Sequence, residues 1–341
     1  MKSVYVGMSG GVDSSVAALL LKQEGYDVTG FTLDLWGDSS NYSDIKDICD
    51  HIGIKHEIIS IRDIFKSKVV EPFLDEYKNA RTPNPCVFCN KHIKFGYMID
   101  YIKDKADFVA TGHYAKVIHN EETGRYYFEK SADEGKDQTY MFYTLSQQQI
   151  SKIMMPLGKF QKSEIREIAK KYGIQSADSP DSQDICFLEG KDLTTFIKEN
   201  APDQFKPGDI VNKSGKVLGK HNGISCYTIG QRRGLGVASE KRIYVVEINA
   251  ENNTVVLDEE KYLFTDTVKV RDVNFLPFET LEEPIRVTAK IRYKAVPAAA
   301  TLEKTEYGVI ARFDSPVRAA TPGQSIVFYD GNILVGGGII M

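Results

Sequence analysis

Ser3-Val4-Tyr5-Val6-Gly7-Met8-Ser9-Gly10-Gly11-Val12-Asp13-Ser14-Ser15, continued by Val16-Ala17-Ala18-Leu19-Leu20-Leu21-Lys22-Gln23, decides the fold of this 341-residue chain. Ser3 to Val6 reads as a short buried strand, Ser9 to Ser15 as a glycine turn, and Val16 to Gln23 as a helix stopped by Gly25. Such a turn can cradle an anion. Glycines let backbone N–H groups converge on it, and the helix that follows presents its positive end. Ser9, Ser14 and Ser15 add hydroxyl donors. No Gly-Lys-Ser/Thr follows, so this is not a Walker loop, and it is not Gly-x-Gly-x-x-Gly either. The competing reading is a plain strand-to-helix turn; two adjacent glycines flanked by hydroxyls weigh against it.

Outward from that turn the signals alternate. Val28 to Leu35 is a second strand, residues 43–52 a helix ending at Gly53, and Lys55 to Ile61 a third strand. A helix over 62–79 precedes a proline-rich loop, Arg81 to Asn90. Another helix starts near Lys91, and Phe108 to Thr111 is a strand. This βαβ alternation predicts an α/β fold, a parallel sheet with helices on both faces, with ligands beyond the carboxyl ends of the strands. After about residue 200 short strands between Gly-, Asn- and Asp-rich turns take over, as at Ile243 to Ile248, Asn253 to Leu257, Ile285 to Ile291 and Ser325 to Tyr329. They indicate small β modules, with boundaries near 200 and 265. No internal repeat or low-complexity segment is visible.

Hydrophobic residues at 42% and charged residues at 26% suit a globular chain with its own core and exclude a disordered or collagen-like one. No apolar run approaches about 18 residues, and the N-terminal apolar stretch is too short for a secretory signal, so no membrane association and a cytoplasmic location are expected. Net charge is −4, yet residues 206–242 hold eight basic and two acidic side chains, and 284–319 hold seven and three. Those blocks suit a polyanion, although solvated strand faces explain them equally well.

An odd set of five cysteines argues against a disulfide framework. Cys86 and Cys89 form a C-x-x-C just before the helix expected at Lys91, where a thiol has a depressed pKa. Cys186 follows about 100 residues later. The three read as a nucleophile with a partner thiol, as ligands of a metal or iron–sulfur cluster, or as plain buried thiols. Cys49 and Cys226 read as buried.

The glycine turn resembles the pyrophosphate-binding loop of the ATP pyrophosphatase superfamily, which has the adenine nucleotide alpha hydrolase-like fold. That resemblance implies ATP contact by Gly7, Met8, Ser9, Gly10, Gly11, Val12, Asp13 and Ser14, with Asp13 helping to hold Mg²⁺ and Leu33 and Gly112 lining the adenosine pocket. Further motifs follow in order along nearly the whole chain: Arg81 to Phe95, Ala110 to Ala115, Asp137 to Phe142, Ser182 to Phe187, His221 to Gly234, Lys290 to Tyr293 and Arg318 to Gln324. Together they resemble the tRNA-specific 2-thiouridylases. This resemblance implies an ATP-binding catalytic domain over 1–200, a small central β-rich domain over 201–264 and a C-terminal β-barrel over 265–341. It implies that ATP adenylates the 2-oxygen of the wobble uridine of tRNA (Lys, Glu and Gln acceptors) and that a persulfide on Cys186 supplies sulfur, with Cys89 as the second thiol. Asn84, Pro85 and Cys86 would meet the target base. His113, Lys136, Asp137, Gln138, Arg292, Tyr293 and Gln324 would meet the tRNA. A cysteine desulfurase or relay protein would deliver sulfur.

Many relatives carry an acidic residue where this chain has Cys86. The substitution makes a three-cysteine set that suits an iron–sulfur cluster, so cluster-dependent thiolation is the variant reading. A non-catalytic redox or cluster-binding protein is the rival from another class. An amidating synthetase would need an ammonia source that no motif supplies, and a lysidine synthetase would lack the cysteine pair.

Overall fold

The computed structural model describes residues 1–36, 42–174, 185–188 and 190–341. The opening stretch folds as its pattern requires. Val4 and Val6 are completely or almost completely buried in β1 (Ser3–Gly7), and α1 (Val12–Gln23) buries Val16, Ala17, Ala18 and Leu21 against the sheet. Next come β2 (Asp27–Asp34), α2 (Tyr42–Ile52) and β3 (Lys55–Ser60). Helix α3 spans 62–78 with a π-helical stretch at Lys66–Val70, and α4 spans 85–102 with another at Asn90–Tyr97.

Helix α4 starts at Pro85, earlier than the expected start at Lys91. Pro83 and Pro85 look like breakers, but Pro83 lies before the helix and proline at the first helical position, as at Pro85, loses no bonded N–H. The Asn84 side chain accepts the Cys86 N–H at 3.1 Å and caps the turn. Cys86 and Cys89 therefore sit on a helix and not in a loop.

Strand β4 (Phe108–Ala110) is followed by a hairpin, β5 (Ala115–Asn120) and β6 (Arg125–Lys130). Then come α5 (Gln147–Ile150), β7 (Ile153–Met154), α6 (Lys162–Lys171) and α7 (Leu193–Asn200). The first sheet is parallel throughout, in the order β3-β2-β1-β4-β7, with Val4 opposite both Val28 and Phe108. Strand order reverses at β1, so the crevice beyond Gly7 and Ala110 is the topological switch point where such sheets bind ligands.

The second sheet, β10-β11-β8-β9, is built from β8 (Gly208–Val211), β9 (Val217–His221), β10 (Tyr244–Asn249) and β11 (Thr254–Asp258). It packs its own core of Ile210, Val245, Val255 and Leu257. The third comprises β12 (Phe264–Phe275), β13 (Ile285–Lys290), β14 (Ala298–Thr305), β15 (Gly308–Arg318), β16 (Ser325–Asp330) and β17 (Ile333–Ile340). Pairing of β12 with both β15 and β17 closes these six antiparallel strands into a barrel. The expected order, an α/β sheet followed by small β modules ending in a barrel, is what folds.

One connection was not legible beforehand. Hairpin β5–β6, from the first part of the chain, extends the barrel sheet by pairing Phe128 and Glu129 with Leu334 and Ile333. Tyr140 donates to the Ser325 carbonyl at 2.7 Å, and Asn274 donates to the Tyr143 carbonyl at 2.6 Å. Phe128, Tyr140, Tyr143, Val327, Tyr329 and Leu334 share one core with the α/β sheet. The barrel is thereby fixed against the face that carries α4. No helix among the described residues is long and apolar enough to cross a membrane.

Candidate active site

The glycine turn forms the first half of the site. Gly10 has φ +79°, a left-handed conformation that only glycine adopts without cost, and an added Cβ would press on Ile45 at 3.2 Å. Ser14 and Ser15 hydroxyls both donate to the Gly11 carbonyl at 3.0 Å, and the Ser9 N–H donates to Ser14 Oγ at 3.2 Å. The hydroxyls thus curl the turn, and Gly11 caps α1 without any side-chain acceptor. Met8 is buried, with its carbonyl accepting from Thr32 Oγ1 at 2.9 Å, while Leu33 is half-buried against the main core.

Gly112 follows β4, and its place is dictated by the turn. A Cβ there would stand 2.7 Å from both the Asp13 carbonyl carbon and the Ser14 nitrogen. Gly112→Ala must therefore push the start of α1 off its position. ATP affinity, read by calorimetry, is expected to fall about tenfold or more, since a sub-ångström shift of converging donors forfeits their hydrogen bonds.

Asp13 does something the sequence did not reveal. Both of its carboxylate oxygens accept from Lys162 Nζ at 2.7 Å, and Oδ1 also accepts from the Tyr114 hydroxyl at 2.7 Å. Lys162 is buried, and its backbone N–H donates to Asp133 at 2.9 Å. Asp13 thus orients an ammonium group beside the glycine turn. The pair lies 149 residues apart in sequence. The only local hint is a lysine opening a helix, an odd place for a cation, since that end is already positive.

The thiols form the second half. Cys86 and Cys186 are exposed, whereas Cys89 is 7% exposed and packed in the main core. Phe187 anchors Cys186 by burying its ring against Phe73, Phe196 and Phe65, with centroids 5.1, 5.2 and 6.0 Å away. Of the Ser182–Phe187 motif, residues 182–184 lie outside the described residues. The three thiols are within electrostatic reach of one another: Cys89 senses Cys186 and Cys86, and Cys186 senses Cys86.

The expected low thiol pKa at Cys89 is not what the structure has. Burial pushes it up to about 12, because Cys89 lies inside the helix facing the core. Burial also raises Cys86 and Cys186, while the Lys94 charge pulls all three back. Lys94 stands five residues beyond Cys89 in the π-helical stretch.

Among the described residues no group of three His, Cys, Asp or Glu is placed to hold a metal ion. With Cys89 turned into the core and its two companions outside, the cluster reading is not favoured.

His113 joins the halves. It follows Gly112, shares a 2.8 Å hydrogen bond with Thr111 through Nδ1, and packs against Phe142 and Phe95 at 5.2 and 6.2 Å. Burial first, and Lys94 second, hold its pKa well below the ordinary imidazole value. The ring is neutral near pH 7, so it offers a hydrogen bond and not a charge.

The barrel closes the rim. Tyr293 donates to the Asp137 carbonyl at 3.3 Å and lies close enough to Cys86 for that thiol to raise its pKa, after burial and Asp137. The Thr82 N–H donates to Pro322 O at 2.8 Å, so the 322–324 turn that carries Gln324 props the segment leading to Asn84 and Pro85. Arg292 precedes Tyr293 at the same rim. Of Lys136, Asp137 and Gln138, the last two spend their side chains internally. Asp137 accepts from Thr139 and Ser131, and Gln138 Oε1 accepts the Tyr114 N–H at 2.9 Å. Asn90, which the motif reading passed over, is 2% exposed with its Oδ1 unpartnered among the described residues. A surface cavity of about 380 Å³ lined by Leu19, Lys22, His51 and Tyr172 lies at the other end of α1 and plays no part in this geometry.

A parallel sheet with this strand order, a glycine turn at its switch point and an adjoining thiol set define a nucleotide-binding α/β domain of the HUP class. Family models agree: one described as a tRNA methyl transferase HUP domain matches residues 2–190, a tRNA methyl transferase PRC-barrel domain matches 194–258, and an aminomethyltransferase beta-barrel domain matches 265–340. Over 356 residues the chain is 47% identical to tRNA-specific 2-thiouridylase MnmA of Clostridioides difficile, covering 99% of this chain and 98% of that one. It is 48% identical to MnmA 1 of Thermoanaerobacter sp. (99% and 97%) and 46% identical to MnmA of Acetivibrio thermocellus (99% and 99%). The chain belongs to the tRNA-specific 2-thiouridylase family.

Proposed function

We propose that this protein replaces the 2-oxygen of the wobble uridine of tRNA by sulfur in an ATP-dependent reaction. The observation that carries this reading is the adjacency of the two halves: Gly112 is packed against the Asp13–Ser14 backbone, and its neighbour His113 and all three thiols feel the charge of Lys94. Near-full-length relatives named for 2-thiouridylation support it.

Membership of this family implies ATP with Mg²⁺. The triphosphate would lie along the Gly7–Ser14 turn, with Lys162 supplying positive charge. Because Asp13 is engaged by Lys162 and Tyr114, the metal would be held chiefly by the phosphates themselves. A carbonyl oxygen is a poor leaving group, and adenylation makes it a good one. Sulfur delivered as a persulfide on Cys186 then attacks C2 and AMP departs. The second thiol comes from the Cys86/Cys89 pair. The target base must leave the anticodon-loop stack to reach this pocket. Asn84, Pro85 and the neutral His113 would meet it, while Lys136, Arg292, Tyr293 and Gln324 would position the loop, partly through phosphates. Lys, Glu and Gln acceptors, and a cysteine desulfurase or relay donor, complete the proposed reaction.

The test is nucleoside mass spectrometry of unmodified tRNA incubated with the protein, ATP, Mg²⁺ and a sulfide source. A 2-thiouridine product formed together with AMP is expected. Thiolation without ATP, or AMP release without a thionucleoside, would contradict the reading.

A further inference from the structure

Trp36, the one tryptophan of the chain, lies two residues beyond the carboxyl end of β2, on the side of the sheet where the nucleotide crevice opens. Its base is fixed. The Asp34 carbonyl accepts the Ile61 N–H at 3.0 Å, and the two oxygens of the buried Asp34 carboxylate accept from Arg62 Nε at 3.0 and 2.8 Å. The end of β2 is thereby tied to the start of α3, which presents Phe65 edge-on to the indole, with ring centroids 6.4 Å apart and planes at 79°. The remaining ring contacts of the indole come from much later in the chain. Phe187 and Phe196 stand 6.5 and 6.2 Å away, tilted by 42° and 43°. Both rings are buried, and Phe187 directly follows Cys186. One side chain therefore joins the rim of the crevice to the segment that carries the exposed thiol. Aromatic pairs prefer a few relative geometries, so such a contact holds orientation as well as position.

We propose, resting on the sulfur-carrier reading above, that Trp36 is a positioning residue for sulfur transfer: through Phe187 it seats the Cys186 segment at the crevice where the base is activated. Trp36 itself meets no reacting atom. Cys186 is exposed, so packing on the thiol does little to hold it, and its place is set by the ring of the next residue. Phe73 and Phe65 hold that ring from other sides, at 5.1 and 6.0 Å, so loss of the indole shifts the segment without releasing it. A nucleophile displaced by about 1 Å from its line of attack can lose about a hundredfold in rate. Adenylation has no such dependence. The glycine turn rests on its own bonds, from Ser14 and Ser15 to the Gly11 carbonyl and from Lys162 to Asp13, and none of them involves Trp36. The indole thus bears on the second half of the reaction and leaves the first alone.

The test is a single turnover by full-length protein preloaded with polysulfide and given ATP, Mg²⁺ and unmodified tRNA, with pyrophosphate and thionucleoside timed separately. Trp36→Leu keeps apolar bulk and removes the ring. Its pyrophosphate should form within about threefold of the wild-type rate, and its thionucleoside about tenfold or more slowly. Trp36→Phe keeps a ring on Phe187 and should recover most of that loss. Equal slowing of both steps marks a merely structural role and overturns the proposal, as does wild-type transfer by Trp36→Leu. A second arm does not need the leucine variant. In Cys86→Ser protein, a bimane label on Cys186 should be quenched by the indole, and the same label should be brighter when Trp36→Phe is added. Equal brightness places the indole away from the thiol segment and overturns the proposal. A Cys186→Ser chain that still thiolates tRNA overturns the underlying sulfur-carrier reading instead.

Discussion

Cys186→Ser is expected to lower tRNA thiolation by at least about a thousandfold, because a hydroxyl cannot carry the transferable sulfur and the remaining binding groups cannot replace a lost nucleophile. Folding should be nearly untouched. The side chain is exposed, and the backbone is positioned by the Phe187 ring among Phe65, Phe73 and Phe196, none of which changes. A surface substitution of this kind costs within about 0.5 kcal/mol. ATP should still raise the melting temperature, since saturating ligand at about a hundred times Kd contributes about 2.7 kcal/mol whether or not sulfur follows. One equivalent of pyrophosphate per bound tRNA should also be released, because adenylation precedes the missing step. Thionucleoside analysis, a thermal shift with ATP and a pyrophosphate assay separate these effects. Loss of the ATP-dependent shift would mean that the thiol half is needed to build the nucleotide half.

Lys162→Ala should strike the other half, in stability and in chemistry together. Its ammonium sits 2.7 Å from both Asp13 oxygens, with the side chains 9% and 30% exposed. Removing it leaves a half-buried carboxylate with the Tyr114 hydroxyl as its remaining named partner, and a loss of about 2–4 kcal/mol is expected in a urea titration. Asp13→Asn removes the carboxylate from the same ion pair and should cost a similar amount. The double variant Asp13→Asn/Lys162→Ala should cost less than the sum of the two single variants, by about 1–3 kcal/mol, because their shared ion pair is lost only once. Activity should not follow stability. Without the lysine, pyrophosphate release is expected to drop about a hundredfold or more in both lysine-lacking variants, since the charge proposed to meet the triphosphate is gone. Additive stabilities, or wild-type pyrophosphate release from Lys162→Ala, would show that the pair is neither coupled nor functional.

These two residues illustrate different degrees of legibility. Cys186 stands out in the chain because Cys is rare and its motif is distinctive, so its candidacy needs no coordinates. Lys162 is one of many lysines, and only the close packing of α6 on α1 brings it to Asp13. Cys89 shows a third case. Cysteine is as much a small apolar residue as a nucleophile, and the choice depends on which way its helix faces. Two prolines disguised the true start of that helix, and with it the burial of Cys89 and the exposure of Cys86.

Residues close in the chain carried what could be read directly. Alternating apolar patterns, glycine stops and the Ser9–Ser15 turn set the parallel sheet, the nucleotide crevice and the change to β structure near residue 200, because those signals act over a few bonds of backbone. Contacts over long separations had to await folding. The Asp13–Lys162 pair, the β6–β17 pairing that ties the barrel to the first sheet, and the ranking of three thiols by access to water each depend on surfaces that exist only once distant segments are packed together. Burial is a property of the whole assembly of side chains, and no window of sequence contains it.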